Sequence, residues 1–266
     1  MTSMLYTHGS TPLFASQVDQ RLHYCLHVPR ELPDLPAPLV VIQHGTGRTA
    51  QKYRTAMRDF AEEHKVVVLA PLFPAGLIDP DDVHNFKFIE YRGIRFDLML
   101  LAIIDEVAAR YPVAADRFYL HGFSGGGQFT HRFLFLHPQR LAAASIGAPG
   151  RITLLDDSLP WWLGTKGFQE RFGRSIDLDA VRRVPVHMVV GSEDTDTFEI
   201  NNPGESNWMN GCEKTGRTRV ERLDTLRRNF ESNGIKVIFD VVDGAGHSGS
   251  AVLPAVQRFF GSLIGR

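Results

Sequence analysis

The sequence predicts an α/β fold, with a mostly parallel central sheet, helices on both faces and a small insertion over the C-terminal edge of the strands. Three observations carry this. Short continuous apolar runs at residues 39–42, 66–70 and 186–190 have the character of strands buried on both faces. Segments with apolar residues at helical spacing alternate with them, as parallel sheets require. The turn His121-Gly122-Phe123-Ser124-Gly125-Gly126-Gly127 joins one such strand to one such helix and carries Gly-x-Ser-x-Gly, a strand-to-helix turn too tight for side chains beside the serine.

In chain order, residues 11–20 alternate poorly but could open the sheet. Residues 22–28 alternate better and stop at Pro29, predicting a strand near the sheet edge. A proline-rich surface connection over 33–38 leads to the strand at 39–43 and to His44-Gly45-Thr46-Gly47. A helix over 49–63 and a strand over 66–71 complete one crossover unit. Residues 73–93 contain Pro74, Gly76, Pro80 and a cluster of Asp79, Asp81, Asp82, His84 and Asn85, with no helical period. A loop this long leaving a strand's C-terminal end is placed to bind ligand, although its aspartates serve equally as turn formers.

Leu100, Ile103, Ile104, Val107, Ala108 and Tyr111 then mark a helix over 95–111. After the serine turn, Phe129, Phe133 and Leu136 continue a helix to His137-Pro138, and a strand follows at 141–147. Residues 151–183 break the alternation and hold Trp161, Trp162, Phe168 and Phe172. They read as a cap-like insertion roofing a pocket, or else as a satellite hydrophobic cluster. The strand at 186–190 runs into Gly191-Ser192-Glu193-Asp194-Thr195, and a polar loop over 201–215 holds Trp208. Val220, Leu223, Leu226 and Phe230 mark a helix ending at Asn233-Gly234; a strand at 236–242, the loop to Ser248 and a closing helix to about 264 finish the chain.

Composition narrows the function. The 266 residues, 43% hydrophobic and 22% charged, suit one domain spanning 1–266. A net charge of −1 with dispersed cations predicts no nucleic-acid and no membrane partner. The N-terminus lacks the pattern of a secretory signal, so a cytoplasmic protein is expected. Cys25 and Cys212 are expected to be free thiols, and no metal site or cofactor is predicted.

A nucleophilic serine needs a base and an acid. With parallel strands, residues just past the strand ends share one sheet edge, which brings Ser124, Asp194 and His247 to the same side in the order Ser, Asp, His. Glu193, Asp196 and Glu199 compete with Asp194 as the acid. Gly125, following the serine, supplies one backbone donor for an oxyanion, and His44 reads as a residue tying down its own loop.

From His44 to His247 the sequence resembles the α/β-hydrolases, and the His44-Gly45-Thr46-Gly47 turn with Ser124-Gly125-Gly126 is similar to the polyhydroxybutyrate depolymerase and feruloyl esterase branch. The resemblance implies a catalytic triad of Ser124, Asp194 and His247, Asp194 matching a Gly-x-x-Asp position with Glu193 as runner-up. It also implies an oxyanion hole of Gly125 and Thr46, with Gly47 as the alternative to Thr46. Members of that branch are commonly secreted and disulfide-bonded, and this chain departs from both patterns, so the substrate class does not carry over. His84, Trp161, Trp162 and Trp208 are expected to line the substrate site, and Arg92 and Arg95 are candidates for a substrate carboxylate. The expected activity is that of a cofactor-free serine esterase acting on a small-molecule acyl substrate. Amide or lactone cleavage is a variant, and an acyltransferase or a non-catalytic ligand-binding member of the fold is the alternative.

Overall fold

The computed structural model describes residues 6–197, 203–204 and 207–265. The central sheet takes its strands in the order β1 (Gly9–Ser10), β3 (His23–Val28), β5 (Val67–Leu72), β4 (Ala37–Gln43), β8 (Val113–Phe123), β9 (Leu141–Gly147), β10 (Val186–Gly191) and β11 (Val237–Val242), with β2 (Phe14–Ala15) also on β3. From β5 to β11 the pairing is parallel throughout, and β3 runs antiparallel to β5. The apolar runs that predicted buried strands are buried: Leu39, Val40, Val41 and Ile42 have no exposed surface, nor do Val67, Val68 and Leu69.

Alternation across the sheet sends neighbouring residues of β8 to opposite helical layers. Phe118 packs on Phe133 of α4 (Gly125–Leu136), whereas Tyr119 packs on Phe260 of α8 (Gly249–Gly261). On the α4 side lie also α3 (Phe96–Ala108), through Phe96 and Phe129 around Phe73, and α7 (Arg219–Ser232), through Phe135 and Phe230. The predicted 49–63 helix is two helices, α1 (Ala50–Ala56) and α2 (Arg58–His64), on the α8 side. They divide at Met57, whose amide is shared between the carbonyls of Tyr53 and Arg54 while its side chain is fully buried.

The long segment after β5 is more ordered than its lack of period suggests. It contains a 3-10 turn at Asn85–Phe88 and a hairpin of β6 (Glu90–Tyr91) and β7 (Ile94–Arg95). Arg92 and Gly93 both take positive φ, the requirement of a tight hairpin turn, and elements this short leave no periodic trace in a sequence. Between β9 and β10 lie α5 (Phe168–Phe172) and α6 (Leu178–Arg183), with Phe168, Phe172 and Val181 buried in the main core. Among the described residues, no helix is long and apolar enough to cross a membrane.

Candidate functional site

Ser124 sits between β8 and α4 with φ 57° and ψ −114°, a conformation that costs a non-glycine residue about 1–3 kcal/mol. The neighbouring glycines make the turn possible. A Cβ on Gly122 would overlap Gly126, one on Gly126 would overlap the carbonyls of Gln43 and His44, and one on Gly127 would overlap the carbonyl of Gly147. A serine at a helix N-cap ordinarily bonds the amides of the first turn. Here the side chain makes no such bond, and Oγ faces His247 Nε2 at 3.0 Å.

The other ring nitrogen, Nδ1, lies 2.7 Å from Asp194 Oδ2. A carboxylate only accepts, so Nδ1 carries the hydrogen and Nε2 is left to accept from the serine hydroxyl. The imidazole also stacks on Phe123, with centroids 4.8 Å apart. Asp194 is buried, and its Oδ1 lies 3.7 Å from Nη1 of the buried Arg219. Glu193 and Asp196 are exposed, and Glu199 lies outside the described residues.

Two loops place this carboxylate and this imidazole. The Ser192 amide donates to Val242 O and the Glu193 amide to Ala245 O, both at 2.9 Å, while the Gly244 amide reaches Ser192 Oγ at 2.9 Å. Gly191 permits the approach, since a Cβ there would overlap the Ala245 carbonyl. The loop after β10 and the loop after β11 are thus stitched into one unit.

Thr46 and Gly125 come together beside the serine: the position of a Cβ on Gly125 is 3.1 Å from the Thr46 amide nitrogen. A Cβ on Gly45 would lie 3.1 Å from Phe123 O and 3.5 Å from Ser124 Cβ, so the loop after β4 passes close to the serine turn. His44 holds that loop, its Nδ1 bonded to Gly45 O at 2.8 Å and its Nε2 accepting the Phe73 amide at 2.9 Å. Burial pushes its pKa down to about 3, so it is a neutral structural group.

His84 lies at the start of the 3-10 turn, with Nδ1 2.7 Å from Lys87 Nζ. Lys87 is buried, and its Cε is 3.0 Å from the same Cβ position on Gly125. Sequence reasoning missed Lys87; its only signal is a lone cation between Phe86 and Phe88. It also missed Arg219 and two further fully buried cations, Arg132 and Arg151. Trp161 packs on Phe168 and Phe172, and Trp162 on Phe88, with the Arg132 guanidinium over Phe88 and both tryptophans. Trp208 is 39% exposed. Arg92 and Arg95 have carboxylate partners of their own, Asp79 and Asp97.

Cys25 and Cys212 are both free and buried. Among the described residues, no three His, Cys, Asp or Glu side chains are grouped to hold a metal ion.

No family model matches this chain, and no curated protein matches it in sequence. Solved structures do match in fold. A poly(aspartic acid) hydrolase-1 from Sphingomonas sp. KT-1 is 21% identical, with 94% of this chain and 98% of that one covered and a TM-score of 0.75. A poly(3-hydroxybutyrate) depolymerase from Bordetella parapertussis is 22% identical, with 90% and 83% covered and a TM-score of 0.72. An S-formylglutathione hydrolase from Agrobacterium tumefaciens is 16% identical, with 99% of each chain covered and a TM-score of 0.64. The strand order, the parallel pairing and these near full-length superpositions establish that the chain has the α/β-hydrolase fold.

Proposed function

We propose that the protein is a serine hydrolase that cleaves a carboxylic ester through an acyl-enzyme. The observation that carries this reading is the line from Ser124 Oγ to His247 Nε2 at 3.0 Å and from His247 Nδ1 to Asp194 Oδ2 at 2.7 Å, at a serine held in a strained turn. Solved neighbours named as hydrolases and a depolymerase support it as analogy of fold.

Ser124 Oγ attacks the acyl carbon as its proton passes to His247 Nε2. The amides of Thr46 and Gly125 donate to the developing oxyanion, contributing about 3–4 kcal/mol for each well-aimed group. Collapse of the tetrahedral intermediate breaks the bond to the alcohol, which leaves with the proton from His247. Water then attacks the acyl-enzyme, giving its proton to His247, and the acid is released as Ser124 regains its hydrogen. Asp194 fixes the tautomer and stabilises the imidazolium. Residues 151–183 form the roof of the acyl site in this reading, with His84, Trp161, Trp162 and Trp208 as its walls.

The test is turnover of a panel of short p-nitrophenyl esters, with stoichiometric labelling by a fluorophosphonate. Labelling of wild type and not of Ser124→Ala, together with turnover lost in the same variant, is expected. Wild-type protein that neither turns over any ester nor reacts with the fluorophosphonate contradicts the reading.

A further inference from the structure

A cavity of about 210 Å³ lies between α1 and the start of α8, with His247 in its wall. One side of it runs from Thr49, three residues after Thr46, to Tyr53 of α1, and the other from His247 past Gly249 to Leu253 of α8. It therefore lies between the loop that carries Thr46 and the loop that carries His247.

That position selects one half of an ester. A general acid hands its proton over within hydrogen-bond reach, so in the reaction above the leaving oxygen lies beside His247 Nε2. Whatever is attached to that oxygen continues along the imidazole. The acyl group of the same reading sits under residues 151–183, whose tryptophans gather at Arg132 of α4 in the opposite helical layer.

The walls limit what the cavity accepts. A cavity of about 150 Å³ holds benzene, so this one has room for a single ring with a short substituent. The Tyr53 ring and Leu253 supply apolar surface, and small-molecule sites set a few polar groups among such surface to fix orientation. The Ser248 and Ser250 hydroxyls are already engaged, with one another at 3.1 Å and, for Ser248, with the Ala251 amide that it caps. The Tyr53 hydroxyl has no hydrogen-bond partner among the described residues. It lies against the first residue of α8, where a Cβ on Gly249 would overlap it, so the glycine makes room for the phenol. Burial pushes the Tyr53 pKa up to about 12, which keeps the group a neutral donor. Lys52 also lines the cavity but is exposed, where salt and solvent screen its charge. Selection here is by shape and by one hydrogen bond.

We propose that this cavity binds the leaving group, and that the substrates are esters of a compact ring alcohol, such as a phenol, bearing an ether or hydroxyl oxygen to which Tyr53 donates. The inference rests on the serine-hydrolase reading and adds the leaving-group class to it. Tyr53 acts here as a specificity determinant.

Two matched pairs test it. 3-Methoxyphenyl acetate against 3-ethylphenyl acetate exchanges one oxygen for a methylene on the leaving group, and both give the same acetyl-enzyme. Methyl (3-methoxyphenyl)acetate against methyl (3-ethylphenyl)acetate makes the same exchange on the acyl side. The expected result is a kcat/KM ratio of methoxy to ethyl of about fivefold in the first pair, the scale of one hydrogen bond, and near one in the second. The first ratio falls toward one in Tyr53→Phe. A wild-type ratio at or below one in the first pair overturns the proposal, as does a first ratio unchanged in folded Tyr53→Phe. A preference confined to the second pair and lost in Tyr53→Phe also overturns it, because the cavity would then take the acyl group. Should Tyr53→Phe fail to fold, Ser250→Phe decides from an exposed lining position. By filling the cavity it should lower kcat/KM on both aryl acetates about tenfold relative to ethyl acetate, and equal changes on all three would overturn the proposal. Fluorophosphonate labelling without turnover of either aryl acetate overturns the leaving-group class and leaves the hydrolase reading standing. No turnover of any ester and no labelling would instead bring down the hydrolase reading, and the subsite with it.

Discussion

The amide of Glu193 donates to the carbonyl of Ala245 at 2.9 Å, and this bond joins the loop that carries Asp194 to the loop that carries His247. It lies one residue before Asp194 and two before His247. Coupling the two loops there leaves the 2.7 Å contact between carboxylate and imidazole with little freedom to drift, as a preorganised site requires.

Removing the Ser124 hydroxyl should lower kcat by several orders of magnitude, about a millionfold where a full triad operates. The glycines and the helix stay as they are, so Ser124→Ala should unfold within a few degrees of wild type. Kinetics and a melting curve on the same preparation check both halves.

Asp194→Asn should reduce kcat by about ten-thousandfold, because an amide no longer locks the imidazole tautomer. Glu193 and Asp196 are exposed. Glu193→Gln and Asp196→Asn should therefore stay within about threefold of wild type, since surface charges contribute little. Side-by-side kcat/KM measurements decide, and a loss in Glu193→Gln equal to that in Asp194→Asn would move the acid to Glu193.

Gly126→Ala should destabilise the protein by about 3 kcal/mol or more, because the added methyl meets the fixed carbonyls of Gln43 and His44. Gly246→Ala is the control: a Cβ there has no neighbour within 4 Å, and its φ is not in the left-handed range. Urea unfolding midpoints compare them, and equal midpoints would show that the serine turn tolerates side chains.

Acid should weaken the fold before it protonates most carboxylates. His44, His84 and His121 are pushed down to about 3, chiefly by burial, and His131 well below its ordinary value for the same reason. The unfolded chain takes up these protons near pH 6.5, while the folded protein takes up those of His44, His84 and His121 only near pH 3 and that of His131 well below its ordinary value. Stability is therefore full above about pH 6.5 and declines as pH falls toward 3, by up to about 1.4 kcal/mol per pH unit for each such histidine. Urea midpoints from pH 7.5 to 4 read this directly, and a flat profile across that range would contradict it.

Much of the architecture was legible because it is periodic or punctuated. The two-face burial of 39–42 and 186–190, the helical spacing of Leu100, Ile103, Ile104 and Val107, and the glycines around Ser124 all write a local geometry into the residue order. The hairpin at Glu90–Arg95 and the break at Met57 were not legible, since one is too short to repeat and the other interrupts no pattern.

At the site, the sequence alone determined which residue types lie past which strand ends. In a parallel sheet that already limits Ser124, Asp194 and His247 to one edge, because the connections return every strand in the same direction. Only the tertiary structure shows which of Glu193, Asp194 and Asp196 faces the imidazole: burial against Arg219 and the stitched loops turn the Asp194 carboxylate toward it and leave the other two in solvent. Likewise only packing put Lys87 beside Gly125, 38 positions away in the chain, because Arg132 and Arg48 reach the Lys87 turn from separate elements. Strand ends are set by local periodicity, whereas a buried charge takes its place from the long-range hydrogen bonds that hold the chain around it.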